Sequence, residues 1–148
     1  MRQASFPTAQ DAETAFYEAL ERADLEAMMA VWADDEEIVC VHPGGPRLSG
    51  HEQVRESWRK IFAGGGTRVR VTQQVAMQAM MVAVHSVHES AAGEASASNA
   101  PGQHAAATVV ATNIYLRTAA GWRMLVHHAS PAPGQAQPAR PDAPKILH

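Results

Sequence analysis

The sequence predicts an α+β domain in which three N-terminal helices pack on a long, strongly curved antiparallel sheet. Three segments in the first half of the chain carry apolar residues at the three-to-four spacing of helices, whereas four long segments from residue 67 onward are rich in β-forming residues. Helices that precede the strands, rather than alternate with them, are typical of α+β folds. Because such helices cover one face of the curved sheet, we expect helices and sheet together to enclose a conical cavity.

The composition fits one domain with a short tail. We assign residues 1–132 to the domain and the Pro-rich residues 133–148 to the tail. A net charge of -3 gives no basic surface for nucleic acid, and no apolar run approaches the roughly 18 residues of a membrane span. A single cysteine, Cys40, excludes an intrachain disulfide and fits a reducing cytoplasm. We therefore expect a cytoplasmic protein with no nucleic-acid or membrane partner.

Capping residues predict where the first two helices begin. Thr8 and Asp11 form a variant of the capping box, and the helix that follows should end near Ala23. Asp24 can then cap a second helix. Both helices should lie close together because nothing but this short junction separates them.

A capping pattern predicts the third helix, and a run of β-forming residues predicts the strand before it. Ser49 and Glu52 fit a capping box, and the helix after them places Val54 and Trp58 on one face. The preceding segment EEIVCVH reads as a strand that ends at His42, before a Pro-Gly-Gly turn. A titratable side chain at the end of a strand can face a cavity without full exposure to water.

The four long strands are separated by two different connections. Residues 118–121 (TAAG) suit a hairpin between the last two strands. Residues 90–103 are small, polar and rich in Gly and Pro, which predicts a long loop that is an insertion or a lid. The strands are TRVRVTQQVAM, AMMVAVHSVHE, AAATVVATNIYLRT and GWRMLVHHASP.

Two long stretches resemble a known superfamily. ALERADLEAMMAVWADDEEIVCVHPGGPRLSGHEQVRESW resembles the N-terminal half of the nuclear transport factor 2-like (NTF2-like) superfamily, in particular its SnoaL-like and ketosteroid isomerase-like members. ATNIYLRTAAGWRMLVHHASP is similar to the last hairpin of one SnoaL-like branch. The resemblance covers roughly residues 10–132. It implies an NTF2-like (cystatin-like) cone, an α+β barrel with a ligand pocket at its open end, and homodimers formed through the outer face of the sheet.

The same resemblance implies a candidate catalytic pair. The aspartate base of ketosteroid isomerases matches His42, their hydrogen-bond-donating tyrosine matches Phe16, and their protonated aspartic acid matches Asn113. Because phenylalanine cannot donate a hydrogen bond, steroid isomerisation by that route is not expected. His42 and Asn113 still supply a base and a donor for proton transfer next to a carbonyl. The alternatives are that His42 anchors its turn and that Asn113 bonds neighbouring side chains.

Aromatic and histidine side chains are the candidates for substrate contacts. Those we select are Trp32, Trp58, Phe16, Tyr17, His127 and His128, although aromatic residues in such positions also serve as core. Adjacent strand residues point to opposite faces, so only one histidine of the pair 127 and 128 should face the cavity. Alternation along this strand gives two possible sets of cavity-facing residues. One is Arg123, Leu125 and His127, and the other is Trp122, Met124, Val126 and His128.

The predicted function is that of a small homodimeric protein that binds a small apolar organic molecule in its cone. Cofactor-free proton transfer of the isomerase or dehydratase type is the expected chemistry. Neither a phosphate-binding loop nor a metal-ligand spacing such as H-E-x-x-H occurs, so no cofactor and no metal are predicted. The alternative is a noncatalytic ligand-binding or assembly module, like the association domain of a calmodulin-dependent kinase.

Overall fold

The computed structural model describes residues 5–34, 37–91 and 108–132. Most of the predicted loop and the predicted tail lie outside these residues. The helices are α1 (Ala9–Arg22), α2 (Leu25–Val31) and α3 (His51–Ala63), and the strands are β1 (Val39–Val41), β2 (Arg47–Ser49), β3 (Val69–Gln78), β4 (Val82–Ala91), β5 (Val109–Thr118) and β6 (Gly121–Pro131).

One six-stranded sheet, in the order β2-β1-β6-β5-β4-β3, runs through the described residues. Strands β3 to β6 pair antiparallel, as predicted, and β5 and β6 form the expected hairpin. The prediction of a wholly antiparallel sheet is wrong at β1, which pairs parallel with β6. Parallel pairing is available here because β1 and β6 are far apart in sequence and the intervening elements form a crossover. The sheet is therefore mixed.

The first two helix starts confirm the capping predictions. The Asp11 backbone N–H donates to Thr8 Oγ1 at 3.0 Å, and the Thr8 N–H donates to Asp11 Oδ2 at 3.1 Å. Helix α1 ends with Ala23 as its C-cap. Asp24 Oδ1 then accepts the Ala27 N–H at 3.0 Å and caps α2. In both cases the short polar side chain satisfies a donor that the first helical turn leaves unpaired.

The start of α3 differs from its prediction. The N-cap is Gly50, with φ of 84°, and not Ser49. Ser49 is the last residue of β2 and pairs with Val39, so the chain turns one residue later than the Ser49–Glu52 pattern indicated. The positive φ of this turn favours glycine. The Ser49 N–H donates instead to the Gln53 side chain at 3.0 Å.

The core lies between α1 and the face of the sheet that α1 covers, called here the inner face. Helix α1 contacts β3, β5 and β6. Phe16 of α1, Trp32 after α2 and Tyr115 of β5 are fully buried at its centre. The architecture is therefore helices on the inner face of one curved sheet, with the opposite, outer face left uncovered by any described element. Among the described residues no helix is long and apolar enough to cross a membrane.

Candidate functional site

A cavity of about 330 Å³ opens between the end of α1, helix α3 and the ends of the long strands. Its volume is at the lower end of the range for small-molecule sites. Three titratable side chains from different strands or turns line it, namely His42, Glu89 and His127. The remaining wall is mostly apolar and includes Leu20, Trp58, Ile61, Val69 and Val109.

His42 is oriented by helix α3. Its Nε2 lies 3.0 Å from Ser57 Oγ, and the Ser57 hydroxyl donates its own proton to the Val54 carbonyl at 2.7 Å. Since that hydroxyl is already committed as a donor, and the other neighbour of Nε2, Cys40 Sγ, lies farther away at 3.7 Å, we assign the His42 proton to Nε2. This leaves Nδ1 as an acceptor, with no hydrogen-bond partner among the described residues. The ring therefore bonds α3, rather than the backbone of its own turn.

The surroundings of His42 favour the neutral ring. The Trp58 ring packs edge-on against it, with 4.7 Å between ring centroids. Burial lowers the pKa of His42 below its ordinary value of 6.5. Cys40, two residues earlier on β1, is fully buried, and burial raises the pKa of its thiol to about 12. His42 is thus a neutral imidazole at cellular pH, while Cys40 is a buried thiol with almost no thiolate.

Trp58 lines the cavity and has an indole N–H without a hydrogen-bond acceptor among the described residues. Only 3% of the residue is exposed, and its indole N–H finds no acceptor among the described residues. A buried donor without a partner is costly and marks a place where a ligand oxygen would be favourable. Trp32 is fully buried in the core and is not part of the cavity wall.

His127 is the histidine of the adjacent pair that reaches the cavity. It is 3% exposed and lines the cavity, whereas His128 is exposed on the other side of the sheet. His127 Nδ1 lies 2.6 Å from Asn113 Oδ1. Burial, with a smaller effect of His42 and His128, lowers the pKa of His127 to about 3. This ring is a hydrogen-bonding group and a weak base.

A bulge in β6 explains why neither of the two predicted sets of β6 residues faces entirely inward. Register shifts between Ile114 and Tyr115, so that Tyr115 pairs with Met124 whereas Asn113 pairs with His127. Strand alternation places Asn113 and Tyr115 on the same, inner face. Their partners Met124 and His127 therefore also face inward, although three positions separate them. An inserted residue in a strand breaks the alternation on which the prediction rested.

Asn113 lies behind the cavity wall. It is fully buried and is not one of the residues that line the cavity. Its Oδ1 bonds His127, and its Nδ2 donates to the Tyr17 hydroxyl at 3.0 Å. The structure therefore matches the alternative for this residue, in which its amide bonds neighbouring side chains. In this position Asn113 orients His127.

The two aromatic candidates of α1 have different environments. Phe16 is fully buried, with its ring 4.7 Å from the His127 ring and 5.6 Å from the Trp58 ring. It supports the cavity from behind. Tyr17 is not one of the residues that line the cavity, but its hydroxyl donates to Oε2 of the cavity residue Glu89 at 2.5 Å. Tyr17 thus acts through Glu89.

Sequence reasoning missed a buried carboxylate next to this site. Glu13 of α1 is 1% exposed, and its Oε2 lies 2.8 Å from His85 Nδ1 and 2.7 Å from the Tyr115 hydroxyl. Gln74 donates to its Oε1 at 2.7 Å. Burial by itself raises the pKa of Glu13, but the hydrogen bonds from His85, Tyr115 and Gln74 outweigh burial and lower it. The signal in the sequence was a glutamate three positions before Phe16 on the apolar face of α1.

Glu89 is the second residue near the cavity that sequence reasoning missed. It lies on β4, two residues before the end of that strand, and burial raises its pKa. Nothing in the local sequence distinguishes it from a solvated glutamate, because its partner Tyr17 is 72 positions away in the chain. Within residues 5–34, 37–91 and 108–132, no group of three or more His, Cys, Asp or Glu side chains is arranged to hold a metal ion.

A larger groove of about 940 Å³ runs along the outside of α3 and shares His42 with the cavity. Its walls carry the charged side chains Glu52, Arg55, Glu56, Arg59 and Lys60, all of which are solvent-exposed. The smaller cavity is the better candidate for chemistry because its titratable groups are buried and held by hydrogen bonds.

Helices on one side of a curved mixed sheet, with a cavity at the end of α1, define the NTF2-like or cystatin-like fold class. The chain belongs to the SnoaL-like family, because the family model for the SnoaL-like domain matches residues 10–134. No curated protein matches the sequence.

Solved structures of similar chains agree with this family. A proposed calcium/calmodulin-dependent protein kinase type II association domain from Thiobacillus denitrificans is 37% identical, with a TM-score of 0.73, over 88% of this chain and 99% of that chain. A proposed dehydratase of the NTF2-like family from Streptomyces avermitilis is 34% identical, with a TM-score of 0.68, over 82% of this chain and 91% of that chain. A proposed ketosteroid isomerase from Parabacteroides distasonis shares the fold, with a TM-score of 0.64 and 15% identity over 88% of this chain and 97% of that chain.

Proposed function

We propose that this protein binds a small, neutral, largely apolar carbonyl compound in its cavity and transfers a proton at the carbon next to the carbonyl. His42 is the base. The observation that carries this proposal is the free Nδ1 of a neutral imidazole in the wall of an apolar cavity. A positioned imidazole of this kind typically contributes about 100-fold or more to a proton transfer.

The other imidazole of the cavity is less suited to the role of base. His127 is almost completely buried, and its pKa of about 3 makes its conjugate acid too strong to form easily at neutral pH. His42 is only half-buried and can take up a proton with solvent nearby. His127 therefore serves as a fixed hydrogen-bonding wall, while His42 accepts the proton.

The chemistry needs a donor for the oxygen that becomes negative. When His42 removes the proton from carbon, charge develops on the carbonyl oxygen as an enolate. The donor that we assign to it is the indole N–H of Trp58, a residue of the cavity wall; this nitrogen is covered and has no acceptor among the described residues, so the ring must turn to present it. His42 then returns the proton to another carbon, which gives isomerisation, or exchanges it with solvent and delivers a solvent proton to the same carbon, which gives isotope exchange.

The wall also supports the choice of a neutral ligand. Among the described residues that line the cavity there is no Lys or Arg to pair with a carboxylate or phosphate. The apolar side chains of Leu20, Ile61, Val69 and Val109 favour a hydrocarbon or aromatic body. The similarity to a proposed dehydratase at 34% identity supports chemistry of this class.

Hydrogen–deuterium exchange tests the proposed chemistry. The probe is benzylacetone, a neutral ketone with an aromatic body, and proton NMR in deuterated buffer follows the loss of its α-protons. Wild type should accelerate exchange over buffer, and His42→Gln should lose about 100-fold of that acceleration. His88→Gln is the matched control, because His88 lies on β4 outside the cavity. Equal exchange with wild type and His42→Gln would contradict the role of His42.

A second candidate function, assembly of identical subunits, is supported by the outer face of the sheet. The pairing of neighbouring strands places five apolar residues in one row across the sheet. They are Met77, Val84, Ile114, Val126 and Val39, each from a different strand. Met77 is 54% exposed in this row. An apolar row of this length on an uncovered face fits a self-complementary homodimer interface. The proposed association domain at 37% identity supports the same function.

Light scattering coupled to size-exclusion chromatography tests the homodimer. Wild type should elute with the mass of two chains, and Met77→Glu should shift to the mass of one because it places a charge in the apolar row. Glu18→Lys, on the exposed side of α1, is the control and should keep the wild-type mass. A wild-type mass of one chain over the full concentration range would exclude this assembly.

A further inference from the structure

We propose, on the basis of the proton-transfer function above, that Glu89 is the general acid of the cavity and that the substrates are small neutral β-hydroxy carbonyl compounds, which lose water there. The observation that suggests this is the presence of a half-buried carboxyl group and a neutral imidazole in the wall of the same cavity. The two groups come from different parts of the chain, Glu89 from β4 and His42 from the end of β1.

Tyr17 determines which oxygen of Glu89 can carry a proton. The Tyr17 hydroxyl has one proton and donates it to Glu89 Oε2 at 2.5 Å, while the same hydroxyl accepts from Asn113 Nδ2 at 3.0 Å. Glu89 Oε2 therefore acts as an acceptor. The other oxygen, Oε1, has no hydrogen-bond partner in the part of the chain that the structure describes. A proton on Oε1 is available to a ligand in the cavity.

The neighbours of Glu89 favour its protonated form. Its cross-strand partners are Val71 on β3 and Val109 on β5, which offer no charge. From α1 it faces Tyr17 and the more distant carboxylate of Glu13. Burial, reinforced by the negative charge of Glu13, raises the pKa of Glu89 more than the Tyr17 hydrogen bond lowers it.

The described residues of the cavity wall also include no Lys or Arg that would favour the ionised form of Glu89. The other titratable residues of the wall are His42 and His127, whose pKa values burial lowers, so both rings are neutral at cellular pH. The site therefore holds a carboxyl group whose pKa is raised beside imidazoles whose pKa values are lowered.

A carboxyl group and an imidazole that line one cavity match elimination better than isomerisation. An isomerisation needs one base that takes a proton from one carbon and returns it to another. Loss of water from a β-hydroxy carbonyl compound needs a base at the α-carbon and an acid at the hydroxyl. Two titratable groups whose environments push their pKa values in opposite directions are the arrangement that such acid–base work requires.

The proposed step balances without a co-reactant. His42 Nδ1 takes the α-proton, the C–H electron pair becomes the new carbon–carbon double bond, and the bond from the β-carbon to oxygen breaks. Glu89 Oε1 gives its proton to the departing oxygen, which leaves as water. The products are the conjugated enone, protonated His42 and ionised Glu89, and solvent exchange then returns the proton from His42 to Glu89.

Two reactions of related probes separate this inference from the proposed function. The aldol adduct of acetone and benzaldehyde is a β-hydroxy ketone, and its dehydration product is a conjugated enone that is followed by ultraviolet absorbance. Benzylacetone lacks the hydroxyl and reports only α-proton exchange by His42. Wild type, Glu89→Gln and the control Glu37→Gln are compared, because Glu37 is exposed and lies outside the cavity.

The expected result is that wild type and Glu37→Gln dehydrate the adduct, while Glu89→Gln loses about 100-fold or more of that activity, a much larger loss than its loss of α-exchange. Exchange by wild type without dehydration, or dehydration by Glu89→Gln at the wild-type rate, would overturn the inference and leave the proposed function standing. If wild type catalyses neither reaction, the proposed function fails and the inference fails with it.

Infrared spectroscopy provides a second test that needs no substrate. At neutral pH the wild-type protein should show a protonated carboxyl C=O band that is missing from Glu89→Gln. Tyr17→Phe should shift this band, because the hydrogen bond to Oε2 is lost. The absence of any such band in the difference between wild type and Glu89→Gln would show that Glu89 is ionised and would overturn its role as acid.

Discussion

His127 Nδ1 lies 2.6 Å from Asn113 Oδ1, in the β5–β6 register that pairs these two residues directly. The amide oxygen can only accept, so His127 carries its proton on Nδ1 and its Nε2 is unprotonated. Asn113 and the burial around it thus fix a neutral histidine in the cavity wall. Burial of His127 in the folded protein therefore lowers the pKa of its ring.

The stability of the protein should therefore depend on His127 in acid. The pKa of His127 is about 3 in the folded state and near 6.5 in the unfolded chain. Between these values only the unfolded chain takes up this proton, so stability falls as pH falls, by about 1.4 kcal/mol per pH unit. Urea unfolding at several pH values should show this slope reduced by about that amount in His127→Gln. His88→Gln should keep the wild-type slope, and an unchanged slope in His127→Gln would contradict the assignment.

Glu13 should contribute more to stability than any exposed carboxylate of α1. Its removal leaves His85, Tyr115 and Gln74 without their shared acceptor in a buried site. We expect Glu13→Ala to lower the free energy of unfolding by about 3–5 kcal/mol. Glu18→Ala, at an exposed position of the same helix, should cost about 0.5 kcal/mol or less. Similar losses for both variants in urea unfolding would refute the importance of this network.

The order of helices and long strands was predictable because its signals are local. The Thr8–Asp11 capping box and the alternation of the last four strands depend on residues close in sequence. The Ser49–Glu52 pattern failed because pairing of Ser49 with Val39 in the sheet overrode a local preference. The parallel partner of β1 is set in the same way by contacts between distant residues.

The site was predicted in part for the same reason. His42 was visible because a strand end followed by Pro-Gly-Gly is a local pattern. The direction of His127 required knowledge of the bulge in β6, and the role of Glu89 required knowledge of Tyr17 on another element. Glu13 did leave a trace, since a charged residue on an apolar helix face predicts a buried partner. Local patterns in the sequence therefore indicate His42, but not the contacts that His127 and Glu89 make with residues of other elements.

Phe16 should be important as packing rather than as a ligand contact. It is fully buried between the rings of Tyr17, His127 and Trp58, and it has no polar atom. Phe16→Ala is expected to destabilise the protein by about 3–5 kcal/mol. Phe62→Ala, whose ring packs on the more exposed side of Trp58, should cost less. The two losses are compared by thermal or urea unfolding, and a smaller loss at Phe16 would mean that it is not a core residue.

Cys40 should be unreactive while the protein is folded. Its side chain is fully buried, and its pKa of about 12 leaves almost no thiolate at neutral pH. A chromogenic disulfide reagent should therefore label the native protein far more slowly than the protein in denaturant. Labelling at equal rates in both conditions would show that the β1 region opens freely and that the cavity wall is not fixed.

The central claim is that the cavity beside His42 receives a small neutral carbonyl compound, and a thermal-shift measurement tests it most directly. Wild type, His42→Ala and His88→Gln are heated with benzylacetone, related neutral ketones and matched carboxylic acids. A ketone at about 100 times its dissociation constant should stabilise wild type and His88→Gln by about 2.7 kcal/mol, seen as a higher melting temperature, and His42→Ala should lose that shift. A wild-type protein whose melting temperature no ketone changes, or a shift that persists fully in His42→Ala, would contradict the account.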